Sequence, residues 1–186
     1  MKILVTYYSQ TGNTEQIAKV IHKIALKNHE SELKKVSKVD VKDVIKYDVV
    51  FLGSACHDSD LAKPVLRFLK GIPKSPNFKL AGFFTHSTNP PEGSERNKKL
   101  YEKWAGKCHK TFEKFKLKKD IDFNGYFRCQ GAPSPPIEKF IHETIFPDDD
   151  EWKEYIDEAK KHPNKTDIEN AKNFATDILK KCQSLE

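Results

Sequence analysis

The chain has no run near the roughly 18 consecutive apolar residues needed to span a bilayer, and no basic-then-apolar segment at its start. No membrane partner is therefore expected, and the reading is of a soluble, cytoplasmic protein. Glycine is scarce, with 8 in 186 residues. Neither G-x-G-x-x-G nor G-x-x-x-x-G-K-[ST] occurs, which excludes the dinucleotide fingerprint and the triphosphate P-loop. The four cysteines, Cys56, Cys108, Cys129 and Cys182, are scattered, and none forms C-x-x-C. That pattern argues against a zinc ribbon and against a disulfide framework, so reduced structural thiols are expected.

What is present is core-forming material: 37% hydrophobic and 11% aromatic residues, enough to bury a core in a single domain spanning 1–186. The net charge of +6 raises nucleic acid as a partner. However, the lysines of "KKLYEKWAGKCHKTFEKFKLKK" fall at solvent-face spacing. Leu100, Trp104, Cys108 and Phe112 or Phe115 make the apolar stripe between them. A solvated lysine-rich face is expected rather than a nucleic-acid site, and its charge suits an acidic protein partner.

Strand and helix patterns alternate. "KILVTYY" is followed by a helix from about Thr14 to Lys27, and "SELKKVSKV" reads as an edge-like strand. "YDVVFLGS" is a continuous apolar run, as for a central parallel strand. "AKPVLRFLKGI" reads as a helix, "KLAGFFTHS" as a fourth strand, and Glu95 to about Lys116 as one long helix. "IDFNGYFRCQG" is the fifth strand. Thr166 and Glu169 form a capping box at the start of the last helix. The expected architecture is a three-layer α/β/α sandwich with a parallel sheet. An insertion at about 132–164 carries a proline-rich loop and one helix that starts with acidic residues.

In such a sheet, ligands bind at the carboxyl ends of the strands. Three loops there turn abruptly small and polar: Ser9–Thr14, "SACHDSD" after strand three, and "THSTNPPEG" after strand four. The first precedes a helix, whose N-terminal amides and dipole favour an anion without any cationic side chain. An ordinary Ser, Thr or Asn helix cap is the alternative reading of the same residues.

"YYSQTGNTEQIAKVI" resembles the phosphate loop of flavodoxins, a strand followed by S/T-x-T-G-N-T and the first helix. "YDVVFLGSACHDSDLAKPVLRFLKGI", "KLAGFFTHS" and "HPNKTDIENAKNFATDI" resemble that family's third strand with its flavin loop, its fourth strand and its last helix. The resemblance implies a flavodoxin-like fold with strand order 2-1-3-4-5 and FMN as cofactor. It implies that Ser9, Gln10, Thr11, Gly12, Asn13 and Thr14 hold the phosphate. By the same resemblance, Ser54, Ala55, Cys56, His57 and Asp58 flank the ring with Thr85, His86, Ser87, Thr88 and Asn89.

Two features depart from the family pattern. Neither ring loop carries a Trp or Tyr, leaving His57 and His86 as their only rings, at equivalent loop positions. The positive net charge also differs from acidic carrier flavodoxins. Both point to a reduction potential above that of those carriers. The expected function is electron transfer between redox partner proteins, with no catalytic side chain. The alternative is an FMN-dependent NAD(P)H:quinone-type oxidoreductase, favoured by an open ring face and disfavoured by the lack of a nicotinamide motif. A cofactor-free binding module is a third reading, which the intact Ser9–Thr14 motif opposes. Trp152 and Tyr155 of the insertion are expected to pack onto the domain, with cover of the cofactor edge or of an interface as the alternatives.

Overall fold

Runs of Val, Ile, Leu and Phe without a polar side need cover on both faces, and they form the middle of a parallel sheet. The computed structural model describes residues 1–183. Its central strands are β1 (Lys2–Tyr7), β3 (Val49–His57) and β5 (Lys79–His86). The edges are β2 (Glu30–Lys35) and β6 (Asp122–Gln130), giving the order β2-β1-β3-β5-β6. These five parallel strands have the order expected from the sequence. A sixth, β4 (Asp60–Leu61), pairs antiparallel with the end of β3 and was not expected. β2 stops at Lys35, short of the predicted Val39, and gives way to 3-10 turns over Val36–Lys38 and Val41–Lys46.

Alternate residues of each strand feed opposite faces. Ile3, Val5, Phe51 and Phe83 pack against α1 (Asn13–Ala25) and α7 (Lys165–Gln183). Leu4, Leu52, Leu80 and Phe84 pack against α2 (Lys63–Gly71) and α4 (Lys107–Lys119). Gly82 is required by this packing, because a Cβ there would lie 2.7 Å from the Phe112 ring.

The predicted long helix is two helices, α3 (Glu95–Trp104) and α4, broken at Ala105–Gly106. Ala105 leaves helical geometry (φ −142°, ψ −10°), and at Gly106 a Cβ would sit 2.6 Å from the Glu102 carbonyl oxygen. The break redirects the apolar stripe. Cys108, Phe112 and Phe115 stay in the core, whereas Leu100 and Trp104 are only half-buried.

The insertion contains two helices, not one: α5 (Pro135–Thr144) and α6 (Asp149–Ala159). The expected proline-rich loop is in part a helix start, because Pro135 and Pro136 occupy the first turn of α5, where no amide partner is lost. Ile141, Phe146, Tyr155 and Ile156 bury a small core of their own, against which Leu100 of α3 packs. The cap of α7 also differs from expectation. Asn164, not Thr166, accepts from the amides of Thr166 (2.9 Å) and Asp167 (3.1 Å). The Asp167 carboxylate returns to the Asn164 amide at 2.8 Å, so the reciprocal box lies two residues upstream.

No helix among the described residues is long and apolar enough to cross a membrane.

Candidate functional site

Strand register brings the three polar loops to one edge. Tyr7 of β1 lies beside Gly53 of β3, and Ala55 of β3 beside Thr85 of β5. The chain leaves all three strands at this edge, β3 running four residues past the partner of Tyr7 to His57.

The first loop closes around the start of α1. Its N-cap is Gly12, in a left-handed conformation (φ +98°) with no side chain to satisfy the first-turn amides. The Ser, Thr or Asn cap considered from sequence is therefore not formed. The loop's side chains are used otherwise. Ser9 Oγ accepts from the Gly12 amide (3.1 Å), and the buried Thr14 hydroxyl pairs with that of Thr85 (2.8 Å), tying the first loop to the third. Asn13 Nδ2 donates to Thr11 Oγ1 (3.1 Å) and to the Ala132 carbonyl (2.8 Å). Gly131 makes that approach possible, since a Cβ there would be 2.7 Å from Asn13 Nδ2.

Beside this loop opens a cavity of about 500 Å3. Gln10, Thr11 and Asn13 line one end, Ala55, Cys56, His57 and Asp58 one wall, and Thr85, His86, Ser87, Thr88 and Asn89 another. Four of the predicted residues do not line it: Ser9, Gly12, Thr14 and Ser54. Ser54 is buried, accepts from the Ala62 amide (2.9 Å) and donates to the Ala55 carbonyl (2.8 Å), so it shapes the second loop from within. That loop is a two-residue hairpin turn between β3 and β4, with positive φ at both Asp58 (51°) and Ser59 (63°). The usual Asn-Gly or Asp-Gly signal of such a turn is missing from "HDSD", which is why the hairpin was not legible. Among the described residues, Asp58 is the one carboxylate on the lining, and no lysine or arginine lines it.

The cavity's large rings come from outside the two ring loops. Trp104, at the end of α3, meets Phe140 of α5 edge to face, with centroids 5.3 Å apart. Ile137, Phe146 and Tyr155 complete this apolar side. Sequence reasoning placed Trp104 in the core and missed Phe140. The Ala105–Gly106 break, a glycine inside a helical pattern, was the signal available for Trp104. Tyr155 lines the cavity and its hydroxyl donates to the Ser87 carbonyl, pinning the third loop to the insertion. Trp152 does not reach the lining; it stacks on His142 with centroids 4.8 Å apart.

The two histidines are not equivalent. His57 is half-buried and makes an edge contact with Tyr8 at 5.7 Å. His86 is buried, and its Nδ1–H donates to the Thr88 carbonyl (3.1 Å). Burial, assisted by the Arg128 guanidinium, pushes its pKa down to about 3, so the ring is neutral at physiological pH. Without a ligand, the cavity wall therefore presents His86 as a neutral ring.

A parallel sheet in this order, an uncapped first helix and a ring-lined cavity at the carboxyl edge define the flavodoxin-like class of α/β/α sandwich. A family model described as Flavodoxin domain matches residues 4–176, and the chain belongs to that family. It is similar to the flavodoxin-like domain-containing protein BilS of Clostridioides difficile, with 29% identity over 98% of each chain. An uncharacterized protein of Methanocaldococcus jannaschii, MJ0298, is 28% identical over 97% of this chain and 99% of its own. Among solved structures, oxidised flavodoxin 2 of Bacillus cereus superposes with a TM-score of 0.63 at 22% identity, covering 97% of this chain and 99% of that one. Family membership implies flavin binding.

Proposed function

We propose that the cavity holds FMN and that the protein carries electrons between redox partner proteins. The observation that carries this reading is the start of α1. Gly12 leaves the first-turn amides without a side-chain cap, and Thr11 and Asn13 open onto the cavity beside them. The donor set fits a phosphate monoester: first-turn amides and the Thr11 hydroxyl, which the Asn13 carboxamide holds in place, with the helix dipole in place of a cation. Beyond it, the loops at Ala55–Ser59 and Thr85–Asn89 leave a slot between small polar walls for a planar ring, with Trp104 and Phe140 at its apolar side. Bound FMN would supply one- and two-electron redox chemistry there.

The chain's own residues set the surroundings of that ring. Neutral His86 adds no charge, and Asp58 alone among the lining groups carries a carboxylate. With little negative charge nearby, a reduced anionic ring is less opposed than in acidic carriers, so a higher reduction potential is expected. The net charge of +6 suits acidic partners. Lys103 lies over the Trp104 ring at 4.8 Å without lining the cavity.

Photoreduced, FMN-loaded protein mixed with oxidised cytochrome c tests the carrier role, with rapid reoxidation expected and none refuting it. The apolar side formed by Trp104, Ile137 and Phe140 favours one second reading, reduction of a quinone-type acceptor with NAD(P)H. Steady-state NADPH oxidation with a quinone separates the two, and the carrier reading expects none above background.

A further inference from the structure

Two of the four cysteines meet at the cavity wall. Cys129 and Cys182 are buried on the opposite face of the sheet, among the side chains under α1 and α7. Cys56, near the end of β3, lines the cavity and is half-buried. Its Sγ donates to the Trp104 carbonyl at 3.4 Å. Cys108, in the first turn of α4, is fully buried, and its Sγ points back to the Ser59 carbonyl at 3.9 Å.

These contacts cross. The strand's thiol reaches to the end of α3, the helix's thiol reaches to the turn that follows the strand, and the two side chains pack into one apolar cluster. Consistent with this, the hydrogen-bonded Cys56 thiol, followed by burial, pushes the Cys108 thiol well above the ordinary range. Both cysteines are free, and they sit 52 residues apart on different elements. Linking them would tie β3 to the first turn of α4, just after the break at Ala105–Gly106.

We propose that Cys56 and Cys108 form a redox-active dithiol that closes to an intramolecular disulfide, with small organic disulfides as its oxidant. Cys56 is the attacking group because only it reaches the cavity. As thiolate it displaces one thiol from the small disulfide and forms a mixed disulfide. The small thiolate released in that step takes the Cys108 proton as Cys108 attacks Cys56 Sγ, the protein S–S bond forms, and the second small thiol leaves. The two protons given up by the cysteines reside on the two released thiols, so the protein loses two electrons and the small disulfide gains them. Closure requires Cys56 Sγ to leave the Trp104 carbonyl, so the oxidation state of the pair is felt at the aromatic wall. This proposal does not depend on which ligand the cavity holds.

The test uses the native protein incubated with glutathione disulfide, acid-quenched and digested without reduction. The intact mass should fall by about 2 Da for one new disulfide. Free thiols should drop from four to two, and the peptide containing Cys56 should be linked to that containing Cys108. Dithiothreitol should restore all four. Cys56→Ser should keep Cys108 reduced under the same treatment, and Cys108→Ser should stop at a glutathione adduct on Cys56. Because Cys108 lies in the core, the wild-type peptide map and Cys56→Ser carry the test. Four free thiols after treatment of the wild type would overturn the proposal, as would a lasting Cys56–glutathione adduct or a disulfide involving Cys129 or Cys182.

Discussion

Replacing Gly12 by alanine perturbs the anion loop without touching its contacts. Gly12 has φ +98° and ψ −18°, and a Cβ built there meets nothing within 4 Å. Steric clash with neighbours is therefore absent, and the cost is the left-handed backbone alone, roughly 1–2 kcal/mol for an L-residue. If the loop keeps its shape, that cost appears as stability, a fall of roughly 2–4 °C in Tm per kcal/mol at this chain length. If it relaxes toward negative φ, the first-turn amides of α1 turn away from the cavity. Each hydrogen bond to a charged phosphate contributes roughly 1.5–3 kcal/mol, so losing one weakens FMN about 10- to 100-fold. Urea unfolding of the ligand-free protein reads the first effect, and quenching of flavin fluorescence on titration reads the second. Gly12→Asn is the internal control, since asparagine tolerates the left-handed region better and should recover part of both losses. A Gly12→Ala protein that keeps both its stability and its FMN affinity would refute the placement of the phosphate at this loop, because neither the strained nor the relaxed loop allows that result.

Thr11→Ala removes an exposed hydroxyl at the cavity end and should cost FMN binding roughly 1–3 kcal/mol while leaving the unfolding midpoint unchanged. Asn164→Ala deletes the two amide bonds that start α7 and should destabilise by roughly 0.5–2 kcal/mol in urea; Thr166→Ala should stay within about 0.5 kcal/mol of wild type. Phe112→Ala empties the space under Gly82 and should cost roughly 3–5 kcal/mol, read as a lower urea midpoint. His86 has a folded pKa of about 3 against 6.5 for the free side chain. Its neutral burial is fully tolerated above pH 6.5, and stability falls as pH drops from there toward 3, at about 1.4 kcal/mol per pH unit. Thermal melts at neutral pH and near pH 5 should therefore show a steeper acid loss in wild type than in His86→Gln, and equal losses would sink this assignment.

The sheet was legible because its strands are dense apolar runs whose order of burial leaves little freedom. "YDVVFLGS" and "KLAGFFTHS" became β3 and β5 at the centre, while the charged "SELKK" became the edge β2. The position of the Ser9–Thr14 loop was legible from its small polar residues placed between strand and helix. What the sequence hid is set by contacts distant along the chain. The α3–α4 break depends on the Glu102 carbonyl approaching Gly106, and the hairpin at Asp58–Ser59 lacks a glycine to announce it. Phe140 reaches the cavity only because the insertion folds back over the third loop, held by the Tyr155 hydroxyl on the Ser87 carbonyl. A pattern of local periodicity cannot report such docking. The same holds for the two histidines. Their loop positions look alike in sequence, yet Thr88, Arg128 and burial separate His86 from the half-exposed His57.

The central claim is that the uncapped start of α1 holds the phosphate of a flavin mononucleotide. The direct measurement is a paired titration of the purified, ligand-free protein with FMN and with riboflavin, which share the ring and differ in the phosphate. The account predicts one FMN bound per chain and riboflavin weaker by at least about tenfold, the loss of one charge-assisted hydrogen bond. Equal affinity for the two, or no uptake of either, would contradict it.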